Sequence, residues 1–108
     1  MHNHLPTLWA DALTAPDRDA WVSDWALSSI WGDDPASDPP AERIDHLCRI
    51  WDASHMTVDD IRKAAGLKQV QLAARFNIPR RTLQDWCRGI ATPPDHIRQM
   101  MCELLGLI

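Results

Sequence analysis

The sequence predicts an all-α fold: a helical bundle that contains a helix-turn-helix and follows an extra helical region at the N-terminus. Apolar residues recur at helical spacing in several segments, and Pro and Gly separate these segments. No convincing run of alternating polar and apolar residues predicts a strand. The chain has 108 residues and is 45% hydrophobic, which suffices for one small core, and six Trp supply large side chains to it.

Residues 1–40 are predicted to form an acidic, Trp-rich helical arm. Residues 5–13 suggest a short helix or a capped turn. The next helix, over about 17–31, has a wide apolar surface, which packs between other helices or meets a partner chain. Residues 32–40, GDDPASDPP, lack periodicity and predict a linker. We therefore expect a domain boundary between this arm and a bundle formed by residues 41–108.

Two amphipathic helices are predicted in the middle of the chain. The first runs from about residue 40 to 54 and has the clearest apolar periodicity in the sequence. Thr57 and Asp60 form a weak capping box at the start of the second, and Gly66 ends it. The residues predicted to face inward are Ile44, Leu47, Cys48 and Trp51 in the first helix, and Val58, Ile61, Ala64 and Ala65 in the second.

The segment 67–89, LKQVQLAARFNIPRRTLQDWCRG, predicts two short helices joined by a tight turn. Asn77 tolerates the positive φ that ends the first helix, and the fixed φ of Pro79 suits the first turn of the second. Trp86 shares a face with Leu83, so we interpret it as a packing residue. The inward positions are Leu72, Ala73, Phe76, Ile78, Leu83 and Trp86; the outward ones are Arg80, Arg81, Gln84, Asp85 and Arg88.

A last helix is predicted to start from residues 92–95, TPPD, with Thr92 as its cap and an acidic residue in its first turn. The positions expected to be buried in this helix are Ile97, Met100, Met101, Leu104 and Leu105.

Charge is divided unevenly between the two halves of the chain. Residues 1–56 contain ten acidic and three basic residues, a net charge of −7, whereas residues 57–108 contain five acidic and eight basic residues, a net charge of +3. Such a division is more informative than the overall charge of −4. The acidic half is either a solvated surface or a surface for a partner.

Several classes of protein are not expected from this sequence. It has no stretch that could span a membrane and no signal peptide, so we expect a cytoplasmic protein with free thiols. No His or Cys pair has the spacing of a zinc site, and we expect neither a metal nor a cofactor. It also lacks paired carboxylates, a nucleophile with a base, and a phosphate-binding Gly loop, so we expect no enzyme.

Residues 58–105 resemble the Cro/phage-repressor type of helix-turn-helix, the lambda-repressor-like or XRE family. The matching elements are IRKAAGLKQVQLA, FNIPRRTLQDW and RG, then a Pro-containing loop and an amphipathic helix. The spacing from Gln69 to Trp86 and Gly89 fits the family without insertion. Two features depart from it: Asn77 replaces the usual Gly, and the customary fifth helix is absent or replaced by the N-terminal half, which leaves the dimer interface open.

The resemblance implies a DNA-binding surface on the second helix of the motif, which lies in the major groove in this family. Arg80, Arg81 and Gln84 would contact base edges, with Asp85 at a possible fourth position. Each good bidentate contact is worth about 1–3 kcal/mol of discrimination. Gln69 would hold a phosphate at the start of the first helix. Further phosphate candidates, for which a solvated surface position is the alternative, are Lys68, Arg75, Thr82 and Arg88.

The expected partner is therefore double-stranded DNA. We expect a transcriptional regulator, a repressor or autoregulator of a phage, mobile element or toxin–antitoxin operon, that binds a palindromic operator as a homodimer. Half-sites would lie about 34 Å apart. The alternative is an antitoxin or protein-interaction module whose acidic half binds a partner protein. Because phosphates repel this half, we expect it to face away from DNA and to serve as the dimerisation or partner surface.

Overall fold

The computed structural model describes residues 4–32 and 37–108, which contain seven α-helices, one short 3-10 helix and no strand. The predicted all-α class is confirmed. The chain forms two compact units, one of residues 1–54 with Ile108 and one of residues 55–107. None of the helices in the described ranges is long and apolar enough to cross a membrane.

The first unit is built from helices α1 (Leu5–Leu13), α2 (Arg18–Ala26) and α3 (Ala41–Ser54), with a 3-10 helix (Ser29–Trp31) after α2. Helices α1 and α2 both pack against α3. The side chains buried in this core come from all three α-helices and are Leu5, Leu8, Ala12, Trp21, Val22, Ala26, Leu47 and Ile50.

Helix α2 ends five residues before its predicted end at residue 31. Its start agrees with the sequence, because Asp17 accepts hydrogen bonds from two backbone N–H groups of the first turn. At its end, Ser28 has extended backbone angles, and its hydroxyl accepts from the N–H of Ile30 to begin the 3-10 helix. The local side-chain bond of Ser28 therefore replaces helix continuation.

Tryptophan N–H groups connect the helices of the first unit through hydrogen bonds. Asp11 Oδ2 accepts from Nε1 of Trp21 at 3.0 Å and from Nε1 of Trp25 at 2.8 Å. Nε1 of Trp51 donates to the backbone carbonyl of Ala15, which joins α3 to the α1–α2 loop. These rings thus combine an apolar face in or near the core with a satisfied polar edge.

The predicted domain boundary at residue 40 differs from the grouping in the structure, where α3 belongs to the first unit. The apolar face of α3 packs against α1 and α2, and Arg18 forms a two-point ion pair with Asp52 at 2.7 and 2.9 Å. These are contacts between residues distant in sequence, which the Pro-rich composition of residues 32–40 does not reveal. Residues 33–36 of that predicted linker lie outside the described residues.

The second unit comprises α4 (Val58–Ala64), α5 (Gln69–Phe76), α6 (Arg80–Arg88) and α7 (Asp95–Leu104). Helix α4 contacts α6 and α7, and α5 contacts α6. The pKa of the Cys102 thiol, which lies in α7, is raised by burial to about 11. The hydrophobic residues buried in this unit are Val58, Ile61, Leu72, Ala73, Leu83, Met101 and Cys102.

Local signals set most helix ends in the second unit. Thr57 and Asp60 form the predicted capping box, with backbone-to-side-chain bonds of 3.0 and 3.1 Å. Asn77 (φ 52°) ends α5 and Gly89 (φ 76°) ends α6, both in the left-handed conformation. The predicted cap of the last helix is wrong: α7 begins after Pro94, without a side-chain cap bond.

Some positions predicted to be inward are exposed. Ala64 in α4 is exposed, as are Met100 (43%) and Leu104 (57%) in α7 and Ile44 (39%) in α3. Helix α7 buries Met101, as predicted, together with Cys102, so its packed face is narrower than the apolar stripe in the sequence. The protein consequently presents apolar side chains to solvent on both units.

Candidate nucleic-acid interface

The turn between α5 and α6 brings the two helices of the motif together. Ala73 and Leu83 are buried where they meet, and the N–H of Ile78 donates to the carbonyl of Ala73 at 2.9 Å, closing the end of α5 after the left-handed Asn77. Pro79 has φ −55° and ψ 137° and immediately precedes α6. Helix α6 therefore begins at Arg80, with the predicted base-contacting residues in its first two turns.

Three predicted site residues surround one crevice at this junction. The crevice has a volume of about 10 Å³ and is lined by the side chains of Gln69, Arg80 and Gln84 above buried Ala73 and Leu83. Such a volume accommodates about one water molecule. The sequence placed Gln69 in the first helix and the two other side chains in the second; the structure brings all three together.

Arg81 and Asp85 form an ion pair one turn apart on α6. The distance from Arg81 Nε to Asp85 Oδ1 is 3.5 Å, with the arginine strongly exposed and the carboxylate half-buried. An exposed pair of this kind contributes about 0.3–0.5 kcal/mol and is easily broken. Arg81 is thus free to reorient towards an acceptor such as a guanine edge, while Asp85 could accept from cytosine N4.

The starts of α5 and α6 are electrostatically suited to anions. Neither helix has an acidic residue in its first turn, so the positive end of each dipole is not neutralised locally. At α5, Gln71 Oε1 accepts from the N–H of Lys68 at 2.8 Å. The N–H groups of Gln69 and Val70 belong to the first turn, where an α-helix offers no carbonyl partner, and they are available to a phosphate oxygen.

The other phosphate candidates are spread over the second unit. Lys68 is exposed at the start of α5, and Thr82 is half-buried in the first turn of α6. Arg88 is exposed in the last turn of α6, about 12 Å along the axis from Arg80 at 1.5 Å per residue. Arg75 Nη2 donates to the carbonyl of Leu104 at the end of α7 at 3.2 Å, so its guanidinium is directed to that helix.

A positioning residue that the sequence analysis missed is Arg62. Its Nε donates to Asp59 Oδ1 at 2.9 Å and its Nη1 donates to the carbonyl of Leu67, also at 2.9 Å. The Arg62 hydrogen bond holds the pKa of Asp59 below its usual value. Arg62 therefore ties α4 to the residue before Lys68 and fixes the approach to α5. The sequence feature that could have predicted this ion pair is the spacing of Asp59 and Arg62, three residues apart on a helix.

The aromatic and thiol side chains of α6 lie against the helical core. Trp86 and Cys87 are both half-buried, in agreement with the interpretation of Trp86 as a packing residue. Burial raises the pKa of the Cys87 thiol, and the Asp59 carboxylate raises it further. Cys87 is therefore a neutral thiol at pH 7, unlike the low-pKa cysteines that react readily.

Comparison with known families agrees with this geometry. Residues 58–107 match a family model described as Helix-turn-helix, and this range includes the segment 58–105 in which the sequence resembles Cro and phage repressors. The predicted resemblance is confirmed. No curated protein and no solved structure matches the chain.

Proposed function

We propose that this protein represses transcription by binding a palindromic operator as a homodimer. The proposal starts from residues 58–107, which form a helix-turn-helix domain of the Cro/C1 type and make the protein a DNA-binding regulator. The observation that carries this proposal is the crevice shared by Gln69, Arg80 and Gln84. The start of α5, which we propose to contact phosphate, lies at this crevice beside the first turns of α6, which we propose to contact bases.

In the proposed complex, α6 lies in the major groove with its N-terminal residues against base edges. The Arg80 guanidinium matches the O6 and N7 acceptors of guanine, and the Gln84 amide matches N6 and N7 of adenine. Arg81 leaves Asp85 to reach a second guanine or a phosphate. Asp85 then favours cytosine on the opposite strand and disfavours bases without a donor there.

Phosphate contacts fix the position of the domain on the duplex. The Gln69 amide, the N–H groups at the start of α5, Lys68 and the Thr82 hydroxyl are the proposed anchors beside the base contacts. Arg88 lies at the far end of α6 and serves a more distant phosphate. Arg75 serves one after leaving the Leu104 carbonyl, to which it donates at 3.2 Å.

Homodimerisation is proposed because one recognition helix covers few base pairs. Two copies related by a two-fold axis would contact half-sites about 34 Å apart, one turn of DNA. We propose that the repressor responds to its own concentration or to a partner protein. Autoregulation of a mobile element or toxin–antitoxin operon fits that mode.

Selection of bound sites from a random DNA library tests the proposal, because it returns both the sequence and the half-site spacing. On the selected operator, Arg80→Ala and Gln84→Ala should each weaken binding about 5- to 150-fold, the equivalent of 1–3 kcal/mol. Arg49→Ala removes an exposed arginine of the first unit and serves as the matched control. Unchanged operator affinity for Arg80→Ala, with helical content intact, would refute the assignment.

A second candidate function is that of an antitoxin or another protein-interaction module. It is supported by the separate first unit and by the net charge of −7 in residues 1–56. Co-expression with the product of a neighbouring reading frame tests it. Formation of a complex that neutralises that product supports the antitoxin; separate elution of both proteins contradicts it.

A further inference from the structure

A groove in the first unit lies between α2 and α3 and has an apolar floor. Its volume is about 160 Å³, and it is lined by Val22, Ser23, Ala26, Leu27, Pro39 and Ile44. Leu27 is 71% exposed and Ile44 is 39% exposed at its edge. Large apolar side chains left in water beside a concave surface are typical of a binding site for another apolar group.

The size of the groove decides what class of ligand it fits. Small-molecule sites usually have about 300–1,000 Å³, so this groove is too small for most metabolites. A cavity of about 150 Å³ holds a single benzene ring. The groove therefore fits one apolar side chain, such as Leu or Phe, presented by another chain.

The charges around the groove define the partner further. Within the described ranges, four carboxylates that form no ion pair lie within three positions in sequence of a lining residue: Asp19, Asp24, Asp38 and Glu42. The arginines of the unit are held in contacts within the unit, and Arg43 is held by the carbonyl of the groove-lining Ala26. Arg18 pairs with Asp52, Arg49 pairs with Asp45, and Arg43 donates to the Ala26 carbonyl and lies 4.8 Å from the Trp31 ring centre.

We propose that this groove binds a basic amphipathic helix of a partner protein. An apolar side chain of that helix enters between Leu27 and Ile44, and Lys or Arg side chains on its flanks face the carboxylates. Nucleic acid and anionic membranes are excluded, since the same carboxylates repel phosphate. A two-fold contact with a second copy would bring the carboxylates of both copies into one interface. The inference deepens the second candidate function and does not depend on DNA binding.

The test uses the full chain and a designed peptide of about 18 residues, five helical turns, with Leu on one face and Lys on the others. Fluorescence anisotropy should show binding, and NMR shifts should move at Val22, Ala26 and Ile44. Leu27→Asp should weaken binding by about tenfold or more. Asp24→Asn should weaken it less and reduce its dependence on salt. Ile90→Asp, which changes an exposed apolar residue of the second unit, should leave it unchanged.

Operator affinity is measured on the same variants at about 0.15 M salt, where the Debye length is only about 8 Å, and should not change there. Failure of the groove proposal is therefore distinguishable from failure of DNA binding. Equal binding of a scrambled peptide of the same composition overturns the proposal, as does unaltered binding by a folded Leu27→Asp variant. A third result would also overturn the proposal: the parent protein is a dimer in sedimentation and binds no peptide, and Leu27→Asp converts it to a monomer. In that case a second copy covers the groove.

Discussion

Individual carboxylates stabilise this protein by accepting hydrogen bonds from other elements, and Asp11 is the clearest case. One of its oxygens accepts from the ring N–H groups of both Trp21 and Trp25. Trp21 is buried, so its N–H has little access to bulk water in compensation. Leaving such a donor unsatisfied costs about 1–3 kcal/mol. Asp11 thus allows two large rings to lie side by side in a small unit.

We predict that Asp11→Ala lowers the free energy of unfolding by about 1–3 kcal/mol, measured by urea denaturation followed through Trp fluorescence. Asp11→Asn should lose less, because its amide oxygen still accepts. Asp24→Ala, which removes an exposed carboxylate from α2, is the control and should change stability by about 0.5 kcal/mol or less. An Asp11→Ala variant as stable as the control would contradict this role.

Asp59 predicts a dependence of stability on pH. The hydrogen bond from Arg62 lowers the pKa of its carboxyl in the folded state, so the ionised form stabilises the fold. This stabilisation is complete above the unfolded pKa of about 3.9 and is lost as pH falls through the lower folded value. The difference in unfolding free energy between the parent protein and Asp59→Asn should be constant near pH 6 and shrink below about pH 4. A difference independent of pH from 6 to 3 would rule out the ion pair as its cause.

At the scale of helices, a helix end can be predicted from the sequence when the residue that sets it lies within about a turn of that end. The ends of α4, α5 and α6 are set by Thr57, Asn77 and Gly89 within a turn of each end, and all three were predictable. The break of α2 at Ser28 was not, because Ser is compatible with helix interiors and caps alike. The exposed Leu104 likewise shows that a periodic stripe does not reveal how much of it a neighbouring helix covers.

The candidate site follows the same rule. Arg80 and Gln84 were identified by their position on one short helix, and their proximity to Gln69 follows from the short turn after α5. The bond from Arg75 to the Leu104 carbonyl joins residues 29 apart in sequence, and no local pattern signals it. The assignment of α3 to the first unit rests on similar long-range contacts.

Asn77 provides a test at this scale because it holds a left-handed conformation with φ 52°. Left-handed angles cost most L residues about 1–2 kcal/mol, with Asn affected less. Asn77→Ala should therefore destabilise the second unit by about 1 kcal/mol, and Asn77→Gly should be neutral or slightly stabilising. Ala74→Gly, at an exposed position inside α5, is the control, and should cost about 1 kcal/mol. Stability lost equally with Gly and Ala at position 77 would show that the Asn side chain, not its backbone angle, matters.

The whole molecule combines a compact acidic unit with a compact basic one. The core of each is formed by its own helices, so substitutions in one core should leave the other unit's function in place. The charge difference has a further consequence for binding. Any polyanion bound by the second unit also experiences the −7 charge of residues 1–56, with a strength set by distance and salt.

We predict that residues 55–108 alone bind a short non-specific duplex more tightly than the full chain at low salt, and that the two affinities converge as salt increases. Repulsion from the acidic half lowers full-chain affinity mainly where the Debye length is long, about 30 Å at 0.01 M against about 8 Å at 0.15 M. Affinity of the full chain should thus fall less steeply with salt than that of the fragment. The duplex should be about 12 base pairs long, near one turn of DNA, so that only one protein domain binds to each duplex.

The full chain with Asp19→Asn, Asp24→Asn and Glu42→Gln is the matched control, since it keeps both units and removes three charges. It should recover part of the difference at low salt, provided circular dichroism shows that all three proteins are helical. Equal affinities at every salt concentration would contradict the prediction. They would mean that the acidic residues stay more than a Debye length from bound DNA even at low salt, and that their charge serves a partner and not the regulation of DNA affinity.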